Sequence, residues 1–233
     1  ATGQAGAIGL PMAGVTLKLV PAGAKLEARV RAETVTPGYW RRPDLTEKVF
    51  DEEGFYRFGD AVAYADPADL SQGFLFDGRL SEDFKLATGT WVSVGPLRHA
   101  LNSALDPLIR DTVITGHDRD HVGVLLVPDR EACATFASLA PGDPGLFVHP
   151  GLVAEITRRL AALAAQATGS SNRVARALIL AEPPSLEHGE LTDKGSINQR
   201  AVLARRPDLV AALYAEPPPA LVITLDHRAG DAP

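Results

Sequence analysis

Alternating apolar and polar positions dominate the first third of the chain. The segments 15–20 and 25–31 alternate with a period of two and are separated by a proline and a glycine. This pattern is typical of half-buried strands, and the intervening turn residues predict a hairpin. Apolar runs at 73–77 and 91–94 predict two further strands. We therefore expect residues 1–81 to be rich in β-structure.

After residue 81 the pattern mixes strand and helix periods. Apolar residues spaced by three and four positions indicate amphipathic helices, and short apolar runs bounded by turn residues indicate strands. The predicted helices cover 95–106, 131–139 and the region around 153–163, and the predicted strands cover 109–115, 122–127 and 176–180. The fold class is therefore predicted to be α+β, with a separate small domain over 82–215. Residues 216–233, which begin with a proline-rich stretch, are assigned to a tail with no readable role.

Composition excludes several classes of function. A net charge of −6 argues against nucleic-acid binding, which normally needs a basic face. No apolar run is long enough to span a membrane. The single cysteine, Cys133, excludes an internal disulfide and suits the reducing cytoplasm, which we take as the expected location. Its apolar neighbours favour a buried side chain over a nucleophile.

The polar turn 116–121 contains His117 and His121 together with two aspartates. These residue types can ligate metals. Turns between strands are normally polar, however, so the more economical interpretation is an ordinary turn. We predict no metal site.

Charged and small residues crowd into the segment 78–91, between two predicted strands. Taken alone, a charge run is usually a solvated connection, and a glycine before a strand is usually a turn. Three other segments accompany it along the chain. They are Pro-Gly-Tyr-Trp at 37–40, Gly-Phe-Tyr-Arg-Phe-Gly-Asp at 54–60, and Leu-Thr-Asp-Lys-Gly-Ser-Ile-Asn-Gln-Arg at 191–200.

Together and in this order, the four segments resemble the adenylate-forming superfamily of acyl-CoA synthetases, luciferases and peptide-synthetase adenylation domains. The amino-acid sequence of residues 78–98 is most similar to that of feruloyl-CoA synthetases. The family pattern around the hinge is Gly-Arg, two residues, an acidic residue, then lysine and glycine. Here it is filled by Gly78, Arg79, Glu82, Lys85 and Gly89, with Thr88 as one extra residue.

The resemblance implies a domain organisation. Residues 1–81 would be the C-terminal, β-rich part of the large AMP-binding domain, and 82–215 the small mobile domain. Glu82, Asp83 and Lys85 would form the hinge between them. The chain has no phosphate-binding loop and no acyl pocket of the kind that the large domain carries in this family. We therefore expect the C-terminal portion of a longer enzyme, lacking the N-terminal part of the large domain and inactive alone.

The resemblance also implies site residues. Asp60 matches the aspartate that accepts hydrogen bonds from both ribose hydroxyls of ATP or AMP, and an ionised carboxylate has the two acceptor oxygens for this. Arg79 matches the arginine near the ribose and phosphates. Lys194 is assigned to the lysine that contacts the substrate carboxylate and the α-phosphate during adenylate formation. The usual order there is Gly-Lys, whereas this chain has Lys194 before Gly195.

For the second half-reaction, Gly89, Thr90 and Trp91 would face coenzyme A. A glycine permits close approach of its backbone to the pantetheine arm, and Trp91 would border the thiol tunnel or, alternatively, be a core aromatic. The implied reaction consumes a carboxylic acid, ATP with Mg²⁺, and CoA. The implied acid is aromatic and hydroxycinnamate-like.

Two other functions stay open at this stage. A ligase that transfers the acyl group to a carrier protein would need a basic patch, for example around Arg98 and Arg110, and the sequence shows only scattered charge there. A non-catalytic nucleotide-binding or interaction module of the same fold is favoured if the shifted Lys194 has lost its role.

Overall fold

The computed structural model describes residues 7–225. The chain divides into two compact units, Ala1–Asp83 and Phe84–Pro233. We call them the first and the second unit and describe each by itself. In residues 7–225, no helix is both long enough and apolar enough to cross a membrane.

The first unit is built on a five-stranded antiparallel sheet with strand order β1-β5-β4-β3-β2. The described elements are β1 (Ala7–Gly9), β2 (Thr16–Ala22), β3 (Lys25–Arg31), α1 (Pro43–Val49), β4 (Tyr56–Tyr64) and β5 (Phe74–Arg79). Strands β2 and β3 confirm the predicted hairpin, with Ala22 opposite Lys25 at the turn. Strand β5 confirms the predicted run at 73–77.

The second unit has a four-stranded mixed sheet, order β11-β10-β9-β8, and a two-stranded ribbon. The ribbon is β6 (Phe84–Lys85) and β7 (Trp91–Val92), and the sheet strands are β8 (Ile109–Thr115), β9 (Val122–Pro128), β10 (Val174–Ile179) and β11 (Val222–Thr224). The α-helices are α2 (Val94–Leu105), α3 (Arg130–Ala137), α4 (Pro150–Ala164), α5 (Gln199–Arg205) and α6 (Pro207–Leu213). Sheets and helices together bear out the α+β class.

Helices cover both faces of the larger sheet, which explains the unbroken apolar run in β9. Val124 and Leu126 are buried in one cluster with residues of α2 and α4. Leu125 and Val127 alternate to the other face, where they share a cluster with residues of α5 and α6. A strand buried on both faces reads as a continuous hydrophobic run because neither side meets water.

The predicted strand at 91–94 is shorter than the sequence suggests. Strand β7 ends at Val92, and Val94 already begins α2. Pro96 explains the difference, because a proline in the first helical turn removes no intrahelical hydrogen bond and so permits a helix to start there.

The segment assigned to a tail contributes to the larger sheet. Strand β11 pairs antiparallel with β10, with Ile223 opposite Ala177. A three-residue strand is too short to show a period, so the sequence pattern does not predict it. The remaining part of that assignment, 226–233, lies outside the described residues.

Cys133 is fully buried, as its neighbours predict. Its thiol donates to the carbonyl oxygen of Leu108 at 3.2 Å. Burial raises the pKa of Cys133 to about 11, so the thiol stays protonated at neutral pH. The residue belongs to the core.

We predict that Leu101→Ala destabilises the second unit by about 2–5 kcal/mol, because it leaves a cavity where a fully buried side chain stood. The matched control is Leu186→Ala, since Leu186 is 59% exposed and should cost less than about 0.5 kcal/mol. Urea unfolding is followed by Trp91 fluorescence in a Trp40→Phe background, so that one tryptophan in the second unit reports. Equal destabilisation by the two variants would contradict the assignment of this core.

Candidate functional site

Asp60 and Arg79 face each other across two neighbouring strands. Asp60 in β4 is the register partner of Arg79 at the end of β5. The pairing of β4 shifts register on both sides of Asp60, once against β3 and once against β5. Gly59, directly before it, has a φ of +77°, a conformation that favours glycine. Such irregularities in strand pairing are frequent next to functional sites, where they change the direction of a side chain.

The Asp60 carboxylate lacks the hydrogen bonds that a buried acceptor normally has. Its Oδ1 is buried and has no hydrogen-bond partner among the described residues. The Nε of Arg79 lies 3.4 Å from this oxygen, an ion-pair distance without hydrogen-bond geometry. Burial raises the pKa of Asp60, and the positive charge of Arg79 offsets this only in part. A ligand with hydroxyl donors would supply what the protein does not.

A cavity of about 260 Å³ lies beside Asp60 in the first unit. Its other walls are mainly apolar, and they include Leu17, Val30, Phe58 and Phe76. An acceptor at the edge of an apolar cavity suits a ligand that carries hydroxyl groups next to a flat, weakly polar part. A nucleoside has this chemistry.

Lys194 lies at the exposed tip of a small hairpin in the second unit. Leu191 and Ile197 form an antiparallel bridge, and the amide of Thr192 donates to the carbonyl of Ser196 at 2.8 Å. The turn is closed by the amide of Gly195, which donates to the carbonyl of Thr192 at 2.8 Å. Lys194 itself makes no hydrogen bond or ion pair with the residues that the structure describes. Its ammonium is thus available to a ligand.

The residues predicted to form the hinge lie at the boundary between the two units, which falls between Asp83 and Phe84. The Asp83 carboxylate lies 2.7 Å from the Nζ of Lys25, and both side chains are less than 10% exposed. Glu82 is half-buried and its amide donates to the carbonyl of Arg79 at 3.0 Å. Lys85 is exposed. That this segment acts as a hinge stays a prediction.

The predicted CoA-facing residues form the turn of the β6–β7 ribbon. Gly89 has a φ of +82°, and its amide donates to the carbonyl of Leu86 at 2.8 Å. The hydroxyl of Thr90 lies 3.0 Å from that of Thr88. Trp91 is 51% exposed, with the Lys85 Nζ 5.3 Å from the centre of its ring, so it is not a core aromatic.

The structure brings some predicted residues together and leaves others apart. Asp60 and Arg79 share the first unit, whereas Lys194 and the Gly89 turn belong to the second. His117 Nδ1 lies 2.9 Å from Asp118, while the His121 ring lies 5.1 Å from that of Tyr214. Within 7–225, no group of three or more His, Cys, Asp or Glu side chains could hold a metal ion.

Sequence reasoning misses three charged residues that support these segments. Lys25, read only as part of a strand, binds the predicted hinge through Asp83 and also donates to the carbonyl of Asp77 in β5 at 2.7 Å. Glu190 and Arg206 form a buried ion pair below the Lys194 hairpin. No local pattern marks any of them, because each contact joins residues distant in sequence.

Comparison with known proteins identifies the class. Residues 83–217 match the family of the AMP-binding enzyme C-terminal domain. The chain therefore belongs to this family of adenylate-forming enzymes, which confirms the resemblance at that level.

Among individual proteins, the chain is similar to the carboxylic acid reductase of Segniliparus rugosus, with 32% identity over 192 residues, 82% of this chain and 15% of that protein. The solved A domain of that enzyme contains AMP and a co-purified carboxylic acid. It matches this chain with a TM-score of 0.62 and 28% sequence identity, and the match covers 89% of this chain and 32% of the solved chain.

Two ligases are also similar. The long-chain-fatty-acid–acyl-carrier-protein ligase AEE15 of Arabidopsis thaliana is 25% identical over 90% of this chain and 29% of its own. The long-chain-fatty-acid–CoA ligase FadD15 of Mycobacterium tuberculosis is 28% identical over 90% of this chain and 34% of its own. The chain thus spans about a third or less of the length of these relatives.

We predict that Asp60→Asn raises the thermal midpoint of the first unit at pH 7. Because the folded-state pKa of Asp60 is raised, ionisation costs the folded state free energy as the pH rises, and asparagine removes that cost. The gain should shrink as the pH falls and Asp60 becomes protonated in both states. Calorimetric scans between pH 3 and pH 7 measure it.

Asp51→Asn is the control with the opposite sign. Burial alone would raise the pKa of Asp51, but hydrogen bonds from the Phe55 amide, Lys18 and Arg29 outweigh it and hold this pKa well below its usual range. Its stabilising effect is therefore present at pH 7 and lost at low pH, so this variant should lower the midpoint at pH 7. A lower midpoint for Asp60→Asn at every pH would contradict the assignment of Asp60.

Proposed function

We propose that this chain is the C-terminal portion of an ATP-dependent acyl-CoA synthetase that acts on feruloyl-type aromatic acids. In the first half-reaction the acid and MgATP give acyl-AMP and pyrophosphate. In the second, the thiol of CoA attacks the adenylate and releases AMP. The proposed enzyme includes the rest of the large domain, and this chain alone is inactive.

The observation that carries the proposal is the buried Oδ1 of Asp60, which accepts no hydrogen bond from the residues that the structure describes. Its buried Oδ1 beside the apolar cavity fits two vicinal ribose hydroxyls, which offer two donors to one carboxylate. Arg79, 62% exposed at its side chain, keeps its guanidinium within reach of the phosphate side of a bound nucleotide. The AMP complex of the reductase relative supports a nucleotide as the ligand of this fold.

Lys194 supplies the mobile positive charge of the first half-reaction. Negative charge accumulates where the substrate carboxylate approaches the α-phosphate. An ammonium placed there stabilises the transition state more than the separated reactants. The exposed hairpin tip allows this ammonium to enter a site formed with other parts of the enzyme. The glycine that follows Lys194 sits in the tight turn that presents it.

The second half-reaction uses the Gly89 turn. The exposed Thr88-Gly89 tip presents backbone and no bulky side chain, so a pantetheine arm can pass close to it. Trp91, with about half of its surface exposed, would border the path of the thiol. We propose that the segment 82–85 turns as a hinge between the two half-reactions.

Transfer to a carrier protein is the second candidate, because AEE15 is named as a ligase for an acyl-carrier protein. Such a partner would require free positive charge near the thiol path. The guanidinium of Arg98, however, lies against the Asp111 carboxylate, with Nε donating to Oδ1 at 2.7 Å. Arg110 is exposed, and its Nε lies 3.8 Å from a carboxylate oxygen of Asp129. This compensation favours free CoA.

We predict that Lys194→Ala in the full-length enzyme lowers ferulate-dependent ATP–pyrophosphate exchange by about 100-fold or more, the scale of a lost electrostatic stabiliser. Thioester formation from supplied feruloyl-AMP should persist, because the lysine acts before that step. Lys48→Ala, on the exposed surface of α1, is the control and should leave both activities unchanged.

Undiminished exchange in Lys194→Ala would contradict the role of this lysine and favour a non-catalytic module. Exchange with long-chain fatty acids but not with ferulate would contradict the proposed substrate alone. Supplying either CoA or a phosphopantetheinylated carrier in the second step decides between the two acceptors.

A further inference from the structure

The Lys194 hairpin stands on a buried ion pair. Glu190, which immediately precedes the hairpin, is fully buried. Its two carboxylate oxygens accept hydrogen bonds from the Nε and a terminal nitrogen of Arg206 at 2.7 and 2.9 Å. One of these oxygens also accepts from the amide of Ser185 at 2.9 Å. The guanidinium of Arg206 is the main cause of the lowered pKa of Glu190, so the carboxylate is ionised at neutral pH.

Arg206 joins three segments of the second unit through one side chain. It occupies the junction between α5 and α6, where its amide caps α5 by donating to Val202. Besides Glu190, its guanidinium donates to the carbonyl of Glu182 at 2.9 Å and to that of Pro183 at 3.1 Å. The planar fork of arginine satisfies all of these acceptors at once, which an ammonium cannot do.

The other arm of the hairpin is also fixed. The amide of Asn198 donates to the carbonyl of Glu190 at 2.9 Å, which ties the two arms together at the base. Gln199, which is buried, accepts from the amide of Ile114 in β8 at 3.0 Å. Ile197 packs into the same cluster as α5 and α6. The base is therefore held, whereas the tip residues 192–196 are exposed.

We propose that Glu190 and Arg206 are positioning residues that deliver Lys194 to one place. The proposal rests on the proposed role of Lys194 in adenylate formation. Lys194 follows Glu190 by only four positions, so any tilt of the hairpin base moves the ammonium. A buried carboxylate with a charged fork has one arrangement that satisfies its hydrogen bonds, so this anchor defines a single orientation. In this proposal both residues act through Lys194 and not by contact with the substrates.

The test is a double-mutant cycle in the full-length enzyme, using Arg206→Lys and Lys194→Ala. Arg206→Lys keeps the positive charge but removes the planar guanidinium that binds both carboxylate oxygens of Glu190. It should lower adenylate formation by about 10- to 100-fold, because Lys194 is then misplaced. In the Lys194→Ala background the same change should cost no more than about twofold, because the group it positions is gone. Thioester formation from supplied acyl-AMP should stay within about twofold throughout.

Arg158→Lys is the matched control. Arg158 also binds a glutamate with two hydrogen bonds, to Glu155 at 2.8 Å each, but on the exposed surface of α4. It should leave both half-reactions unchanged. If Arg206→Lys does not yield a folded enzyme, Glu190→Gln, which keeps the side-chain shape, is measured in the same cycle.

Amide hydrogen exchange in the full-length enzyme gives a readout independent of activity. Arg206→Lys should speed exchange of the hydrogen-bonded amides of Thr192 and Asn198, and Arg158→Lys should not. The positioning role would be overturned if Arg206→Lys lowered adenylate formation by the same factor with and without Lys194. It would also be overturned if the amide hydrogen exchange rates of Thr192 and Asn198 did not change. If Lys194→Ala lowers adenylate formation but Arg206→Lys does not, only the positioning role is overturned. If Lys194→Ala leaves adenylate formation undiminished, the proposed role of the lysine itself is overturned.

Discussion

The cost of removing charge from water is the constraint on which the functional parts of this chain depend. A carboxylate that leaves water needs a partner charge and hydrogen bonds, or it destabilises the fold. Glu190 meets this need through Arg206, and Asp83 lies against Lys25. Asp60 meets it only in part, since Arg79 is close but donates no hydrogen bond to its buried oxygen. The first two pairs fix the segments that carry predicted site residues, and Asp60 retains an acceptor for a ligand.

Family membership and local geometry support different parts of the proposed function. The match over 83–217 places the second unit among AMP-binding enzyme C-terminal domains. The relatives include a carboxylic acid reductase and ligases that use CoA or a carrier protein, so they agree on the adenylate-forming class and differ in the step that follows it. We propose CoA as the acyl acceptor because the charge of Arg98 is compensated by Asp111, and we propose a feruloyl-type acid because of the sequence likeness in the hinge segment.

Much of the fold is predictable from the sequence because burial imposes a period on it. The alternation over 25–31 predicts β3, and the three–four spacing over 95–106 predicts α2 to within a residue at each end. Elements without a readable period are not predicted. Helix α1 has seven residues and no buried side chain, and strand β11 has only three residues.

The candidate site divides in the same way. Asp60, Arg79 and Lys194 stand in motifs whose residue types and order are visible in the sequence. Their supports are not visible, because they depend on tertiary contacts: Glu190 and Arg206 are 16 residues apart, and Lys25 meets Asp83 only after β3 and β5 have joined the same sheet. The side chains proposed to contact a ligand belong to sequence motifs, whereas the side chains that hold those motifs in place are identified only from the folded structure.

We propose above all that Asp60 binds the ribose hydroxyls of a nucleotide. The most direct measurement compares the affinity of the full-length enzyme for AMP and for 2′,3′-dideoxy-AMP, with wild type and Asp60→Asn side by side. We predict that the wild-type enzyme binds AMP about 10- to 100-fold more tightly than the dideoxy analogue, the scale of hydrogen bonds to a charged acceptor, and that Asp60→Asn loses most of this difference. An unchanged preference in Asp60→Asn would show that the ribose is recognised elsewhere.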